Sequence, residues 1–173
     1  MNHIIIEGFI GSGKGAAAKA VARKMNLSYL DLDKMVSERM KLTSPEIYDR
    51  FGEPYYRAME TLILDDLTHK EERTVIVLGS GAATMPQNYE YLKKLGTVFY
   101  IKLKPEEILA NMRKSSKKHQ WIHGDAWDEQ VLRIYKDREP SYRKTADVTI
   151  DAGGKTPEEV ADLIVEASKE ADS

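Results

Sequence analysis

No cysteine occurs anywhere in the 173 residues, which excludes disulfide frameworks and thiolate–zinc sites and leaves the redox compartment unread. Long apolar runs are missing too. Nothing approaches the ~20 residues of a membrane helix, and Ile4-Ile5-Ile6 is too short an apolar stretch for a signal peptide. Charge of one sign is not in excess: a net −2 gives no general pull toward nucleic acid or an anionic membrane. The four histidines, His3, His69, His119 and His123, show no metal-ligand spacing. What remains is 42% hydrophobic and 31% charged residues, the composition of a globular protein large enough to bury a core. These absences point to a cytoplasmic protein with neither a membrane nor a nucleic acid as partner.

Strand-like apolar runs alternate with helical patterns, which predicts a three-layer α/β fold with a parallel sheet between helices. The strands are expected at His3–Glu7, Ser28–Leu32, Thr74–Gly79, Thr97–Leu103 and Asp147–Asp151. Lys14–Met25, rich in Ala and Lys, is expected to be helical. Ser44-Pro45 reads as an N-cap followed by proline at the first helical position, and Thr156-Pro157-Glu158-Glu159 adds a capping box to the same signal. Gly96 marks a helix end leading into a strand. No repeat or linker divides the chain, so residues 1–173 are expected to form one domain.

The most informative stretch is Gly8 to Lys14, GFIGSGK, directly after Ile4-Ile5-Ile6. This G-x-x-x-x-G-K spacing between a strand and a helix is a phosphate-gripping loop. Its glycines let backbone N–H groups curl around an anion, the lysine adds charge at the outer phosphates, and the following helix presents its positive end. A nucleotide is the expected ligand, with Gly11, Ser12, Gly13, Lys14, Gly15 and Ala16 as its cradle. The residue after the lysine is ordinarily Ser or Thr, whose hydroxyl holds Mg²⁺; here it is Gly15.

Further candidates follow the later strands. Asp31-Leu32-Asp33 stands at the end of the second, where alternation would place both carboxylates on one face at the ligand-binding edge. One of the two could then serve Mg²⁺ and the other a substrate hydroxyl; a plain helix N-cap at Asp33 explains the same residues. Glu53, Arg57 and Glu60 are spaced for ion pairs along a helix, either as a surface ladder or to hold Arg57 toward a substrate carboxylate. Gly79-Ser80-Gly81 permits close backbone approach to a ligand, or a simple turn. Arg138-Glu139-Pro140 reads locally as a helix stopping before proline. The basic run Arg113–His119, with Gln120–Asp125 behind it, is either a solvated loop or a lid able to close over phosphate, flanked by Trp121 and Trp127 as packing anchors.

Together and in this order, these segments resemble shikimate kinase, the small P-loop kinase of the aromatic amino acid (chorismate) pathway. GFIGSGK resembles its Walker A loop, and Asp31-Leu32-Asp33 its Asp-x-Asp. Gly52-Glu53 with Tyr56-Arg57 and Glu60 resembles its G-E-x-x-F-R-x-x-E. Gly79-Ser80-Gly81 stands in place of three glycines, and Arg138, Pro140, Tyr142, Ala146 and Asp147 follow its R-x-P-x-Y…A-D stretch. The resemblance implies a P-loop NTPase fold with a five-stranded parallel sheet, a substrate-binding helical segment near 33–60 and a lid near 113–126. It further implies ATP-dependent, Mg²⁺-assisted phosphorylation of shikimate by a monomer.

Carried over residue by residue, Lys14, Asp33 and Arg138 would be catalytic, with Lys14 neutralising the transferring phosphoryl group and Asp33 holding the attacking hydroxyl. Arg57 and Arg138 would clamp the shikimate carboxylate, and Gly79, Ser80 and Gly81 would back its ring. Asp31 would place Mg²⁺, while Arg113, Lys117 and Gly153 would contact the nucleotide. The departures are Gly15, Ser80 and a lid without the family's R-P-L-L, near Lys117–Ile122. They leave open two other readings: a kinase for another small acceptor, or a nucleotide-binding protein of the same fold with weak or no catalysis.

Overall fold

The computed structural model describes residues 2–115, 124 and 126–173. Its strands are β1 (His3–Glu7), β2 (Ser28–Asp31), β3 (Thr74–Val77), β4 (Gly96–Lys102) and β5 (Val148–Asp151). They form one parallel sheet in the order β2-β3-β1-β4-β5. The central β1 pairs with β3 through Ile5 and Ile76, and with β4 through Ile5 and Val98. Ile4, Ile5 and Ile6 are all fully buried, so side chains on both faces of this strand are covered, as the unbroken apolar run requires.

The helices are α1 (Lys14–Met25), α2 (Leu32–Met40), α3 (Ser44–Phe51), α4 (Glu53–Leu67), α5 (Tyr89–Leu95), α6 (Pro105–Lys114), α7 (Trp127–Thr145) and α8 (Pro157–Asp172). Two short 3₁₀ turns, Ala82–Thr84 and Pro86–Asn88, precede α5. α1 packs on α8 and the sheet through Ala17, Ala18 and Val21, small residues that let the helix lie close. α8 starts at the predicted capping box of Thr156 and Glu159.

Four local expectations are corrected. β2 ends at Asp31, and α2 begins at Leu32, so Asp33 lies in a first helical turn and strand alternation does not govern it. The cap of α2 is Asp31, which accepts from the Lys34 N–H at 3.2 Å, not Asp33. α3 is capped one residue earlier than expected, by Thr43, which forms a full capping box with Glu46. α7 runs through Pro140 instead of stopping before it. Val131 and Tyr142, both fully buried, anchor the helix on either side. The Arg143–Glu139 bond at 2.6 Å spans the proline, offsetting the lost backbone bond.

Because all strands are parallel, their carboxyl ends share one edge. Gly8, Asp31, Leu78 and Leu103 leave the sheet there, and the loops that follow converge on one crevice.

Candidate active site

The phosphate loop occupies the middle of that edge. Gly11 and Gly13 both have φ of 80°, a left-handed backbone that side chains disfavour, and Gly13 is the N-cap of α1. A Cβ on Gly8 would lie 2.8 Å from Ser12 Oγ and 2.9 Å from the Ile101 carbonyl, so the loop is pressed against β4. The buried Ser12 hydroxyl has no hydrogen-bond partner among the described residues. An unpaired donor inside a ring of backbone N–H groups suits a bound phosphate.

Two cavities flank the loop. The larger, about 770 Å³, is lined by Gly11, Lys14, Asp33, Tyr56, Arg57, Glu60, Gly79, Ser80, Gly81 and Arg138, with the α2–α3 turn at its rim. The smaller, about 390 Å³, is lined by Ser12, Gly13, Leu103, Asn111, Gly154 and Lys155. Asn111 borders both and donates from Nδ2 to the Gly11 carbonyl at 2.8 Å, tying α6 to the loop.

Residues far apart in sequence meet in the larger cavity. Arg57 is 7% exposed; its Nη1 donates to Glu60 Oε1 at 2.6 Å and its Nε to Glu53 at 3.4 Å. Both predicted partners are thus engaged: the Arg57–Glu60 pair lies inside the molecule, and Glu53 remains exposed at its outer end. Burial pushes the Glu60 carboxyl up to about 7, against the pull of Arg57. A Cβ on Gly81 would fall 2.5 Å from Arg57 Cζ, and one on Gly79 would fall 2.6 and 2.7 Å from the two Asp33 oxygens. The two glycines are therefore the space into which Asp33 and Arg57 fit. Ser80 between them accepts from Arg138 Nη1 at 2.8 Å, while its carbonyl accepts a bond from the Tyr142 hydroxyl.

Other predicted residues stand apart from these cavities. Asp31, Gly15, Ala16, Arg113 and Gly153 line neither. Gly15 sits in the first turn of α1, with nothing within 4 Å of a Cβ placed on it. Arg113 lies over the Trp127 ring, 5.7 Å from its centroid, bridging the end of α6 to the start of α7. Gly153 donates its N–H to Asp31's counterpart at the end of β5, Asp151, at 3.1 Å. Lys117, Trp121 and the R-P-L-L position lie outside the described residues.

The donor set for Mg²⁺ is sparse. No group of three acidic or histidine side chains able to hold a metal occurs among the described residues. One Asp31 oxygen is committed to the α2 cap. Mg²⁺ keeps several waters and takes phosphate oxygens readily, so it fits a site where Asp31, set back from both cavities, would act on it through water.

Sequence reasoning missed the Tyr56 hydroxyl, which donates to Asp33 Oδ1 at 2.6 Å, and the Ser44 hydroxyl 3.3 Å beyond it. The signal was present: a tyrosine stands where the resemblance implies phenylalanine.

A phosphate loop between two cavities, one of which gathers an aspartate and two arginines, defines a P-loop kinase of small molecules rather than a switch or a motor. Sequence and structure comparisons carry this further. The shikimate kinase family model matches residues 10–169. The shikimate kinase of Caldanaerobacter subterraneus subsp. tengcongensis is 33% identical over 96% of each chain, and that of Thermoanaerobacter pseudethanolicus 34% over 96% of each. The structure of the Acinetobacter baumannii shikimate kinase in complex with shikimate superposes with a TM-score of 0.90 at 26% identity, covering 98% of this chain and 94% of that one. The chain belongs to the shikimate kinase family.

Proposed function

We propose that this protein transfers the γ-phosphoryl group of ATP to the 3-hydroxyl of shikimate, yielding shikimate 3-phosphate and ADP in aromatic amino acid synthesis. The observation that carries it is the convergence of Asp33, Arg57 and Arg138 on one cavity whose wall also includes Lys14. The acceptor called for has a carboxylate at one end and a hydroxyl at the other. Arg57 and Arg138 offer planar donor forks to the first, and Asp33 an acceptor oxygen to the second.

In the proposed mechanism the nucleotide lies across the loop, its phosphates on the N–H groups of Gly11 to Ala16 and its base toward Gly153, Gly154 and Lys155. Lys14 neutralises charge that develops on the transferring group. Asp33 orients the attacking hydroxyl and takes up its proton. Bound Mg²⁺, with Asp31 reaching it through water, would supply further neutralisation of the phosphates. Arg113 and Lys117 are assigned to the nucleotide side of the lid. Phosphoryl transfer asks a protein mainly for positioning and charge, and these residues provide both.

We further propose a monomeric, cytoplasmic enzyme built as a single P-loop kinase domain over residues 1–173. No helix among the described residues is long and apolar enough to cross a membrane. The test is coupled ADP release from Mg²⁺-ATP with and without shikimate. Shikimate-dependent multiple turnover is expected. Equal slow ADP release in both arms would discard the assignment and reopen the choice of acceptor.

A further inference from the structure

Resting on the reading of Asp33 as the residue that meets the acceptor hydroxyl, we propose that Tyr56 is its positioning residue. The phenol fixes the carboxylate in the orientation that the hydroxyl needs. Tyr56 is 3% exposed, and its hydroxyl lies 2.6 Å from Asp33 Oδ1. A phenol has one proton. Since it goes to Asp33, the Ser44 hydroxyl 3.3 Å away must be the donor to the phenol oxygen. The result is a one-directional chain, Ser44 to Tyr56 to Asp33, running from the first turn of α3 into the cavity.

The ring that carries this hydroxyl is itself held. Tyr48 packs against it with centroids 4.7 Å apart, and the Arg57 guanidinium lies 5.8 Å from its centroid. Burial, and the Asp33 carboxylate beside it, push the Tyr56 phenol well above its ordinary range, so it stays a donor at every working pH. Asp33 is then gripped from two sides: both oxygens are packed against Gly79, and Oδ1 accepts from Tyr56. Oδ2 is left for the acceptor.

This role makes a distinct kinetic prediction. The Asp33 contact to the hydroxyl strengthens as the proton moves, so an error in its orientation weighs on the transition state more than on substrate binding, which the arginines dominate. Tyr56→Phe removes one oxygen and keeps the buried ring. We expect kcat to fall about tenfold, a loss near 1.4 kcal/mol. Shikimate affinity by calorimetry should hold within about threefold, and KM for ATP should not change. In the Tyr56→Phe background, Ser44→Ala should cost nothing further, because Ser44 reaches Asp33 only through the phenol.

A merely structural role for Tyr56 lowers Tm while leaving kcat per folded molecule intact, and that result overturns the proposal. So does a rise in KM for shikimate with kcat unchanged, or a further loss from Ser44→Ala. Failure of the wild-type protein to turn over shikimate is a different outcome: it removes the reading of Asp33, and the positioning role with it.

Discussion

Gly81→Ala tests whether the glycines after β3 exist to make room for charged side chains. The added methyl would sit 2.5 Å from Arg57 Cζ and 2.6 Å from Nη1, whereas ordinary contact begins at 3.4 Å. Nη2 is nearer still, so the guanidinium must retreat by at least about 0.9 Å, which is the scale at which misplaced binding groups lose their effect. It cannot do so freely. Nη1 is held by Glu60 at 2.6 Å, Nε by Glu53 at 3.4 Å, and Glu60 is fully buried with its Oε2 unpartnered. Strain of this kind costs about 1–3 kcal/mol of stability. Moving the fork away from a carboxylate forfeits a charged hydrogen bond of about 1.5–3 kcal/mol, a factor of roughly 10 to 150 in affinity.

The assay is coupled ADP release with shikimate varied at saturating ATP, together with a thermal melt. KM for shikimate should rise at least tenfold, kcat at saturation should change far less, and KM for ATP should stay put. Arg57→Ala supplies the control. If the methyl acts through Arg57, the double variant binds shikimate no worse than Arg57→Ala alone. A KM for shikimate within twofold of wild type in Gly81→Ala would refute the steric argument and the carboxylate-clamp role of Arg57 with it.

Three other outcomes are expected. Gly15→Ser has open space for its side chain and should tighten Mg²⁺-ATP binding by restoring a hydroxyl ligand, read as a lower Mg²⁺ requirement in the same assay; an unchanged requirement would mean that Asp31 and water already complete the site. Ser80→Gly should raise KM for shikimate a few-fold by removing the acceptor that holds Arg138 Nη1, with no effect on KM for ATP, and an unchanged KM would show that Arg138 needs no such support. Glu7, buried on β1 with Oε2 accepting from Thr145 at 2.7 Å, is pushed by burial up to about 8, so the folded state binds its proton more tightly than the unfolded chain does. Its contribution is complete below the unfolded value near 4.5 and is lost as pH rises toward 8, so Glu7→Gln should flatten the fall in stability between those limits in denaturant titrations; a parallel curve for the variant would refute this.

The parts of the molecule that were legible in the sequence are those set by local rules. GFIGSGK demands a left-handed backbone at Gly11 and Gly13, and the apolar run before it demands a buried strand. The Thr156 capping box places the start of α8 without reference to anything distant. The errors fall where tertiary contacts override local preference. Pro140 reads as a helix end until the packing of Tyr142 is known, and Asp33 reads as a strand residue until Asp31 is seen to cap α2. That Glu53, Arg57 and Glu60 interact followed from spacing, but the burial of Arg57 and Glu60 did not, because it depends on where Gly81 comes to lie. The Tyr56–Asp33 bond spans 23 residues and two helices: a tyrosine in place of phenylalanine signals an added hydroxyl, but not the distant partner it finds.

The two departures on the acceptor side have a common form. At Tyr56 and at Ser80 this chain has a hydroxyl where the resemblance implies hydrogen or a bare ring, and each hydroxyl is bonded to a charged residue of the cavity: Tyr56 to Asp33, Ser80 to Arg138. Neither adds a charge or much volume. Each reduces the conformations open to a side chain that must be in place when the acceptor arrives, and side chains fixed in advance lose less entropy on binding. On the nucleotide side the departure runs the other way, since Gly15 lacks the hydroxyl that a Ser or Thr would offer to Mg²⁺. The chain thus combines a tightly braced acceptor half with a less furnished metal site. If that contrast governs catalysis, Gly15→Ser improves the enzyme through its Mg²⁺ requirement, while Tyr56→Phe impairs it through kcat and Ser80→Gly through KM for shikimate.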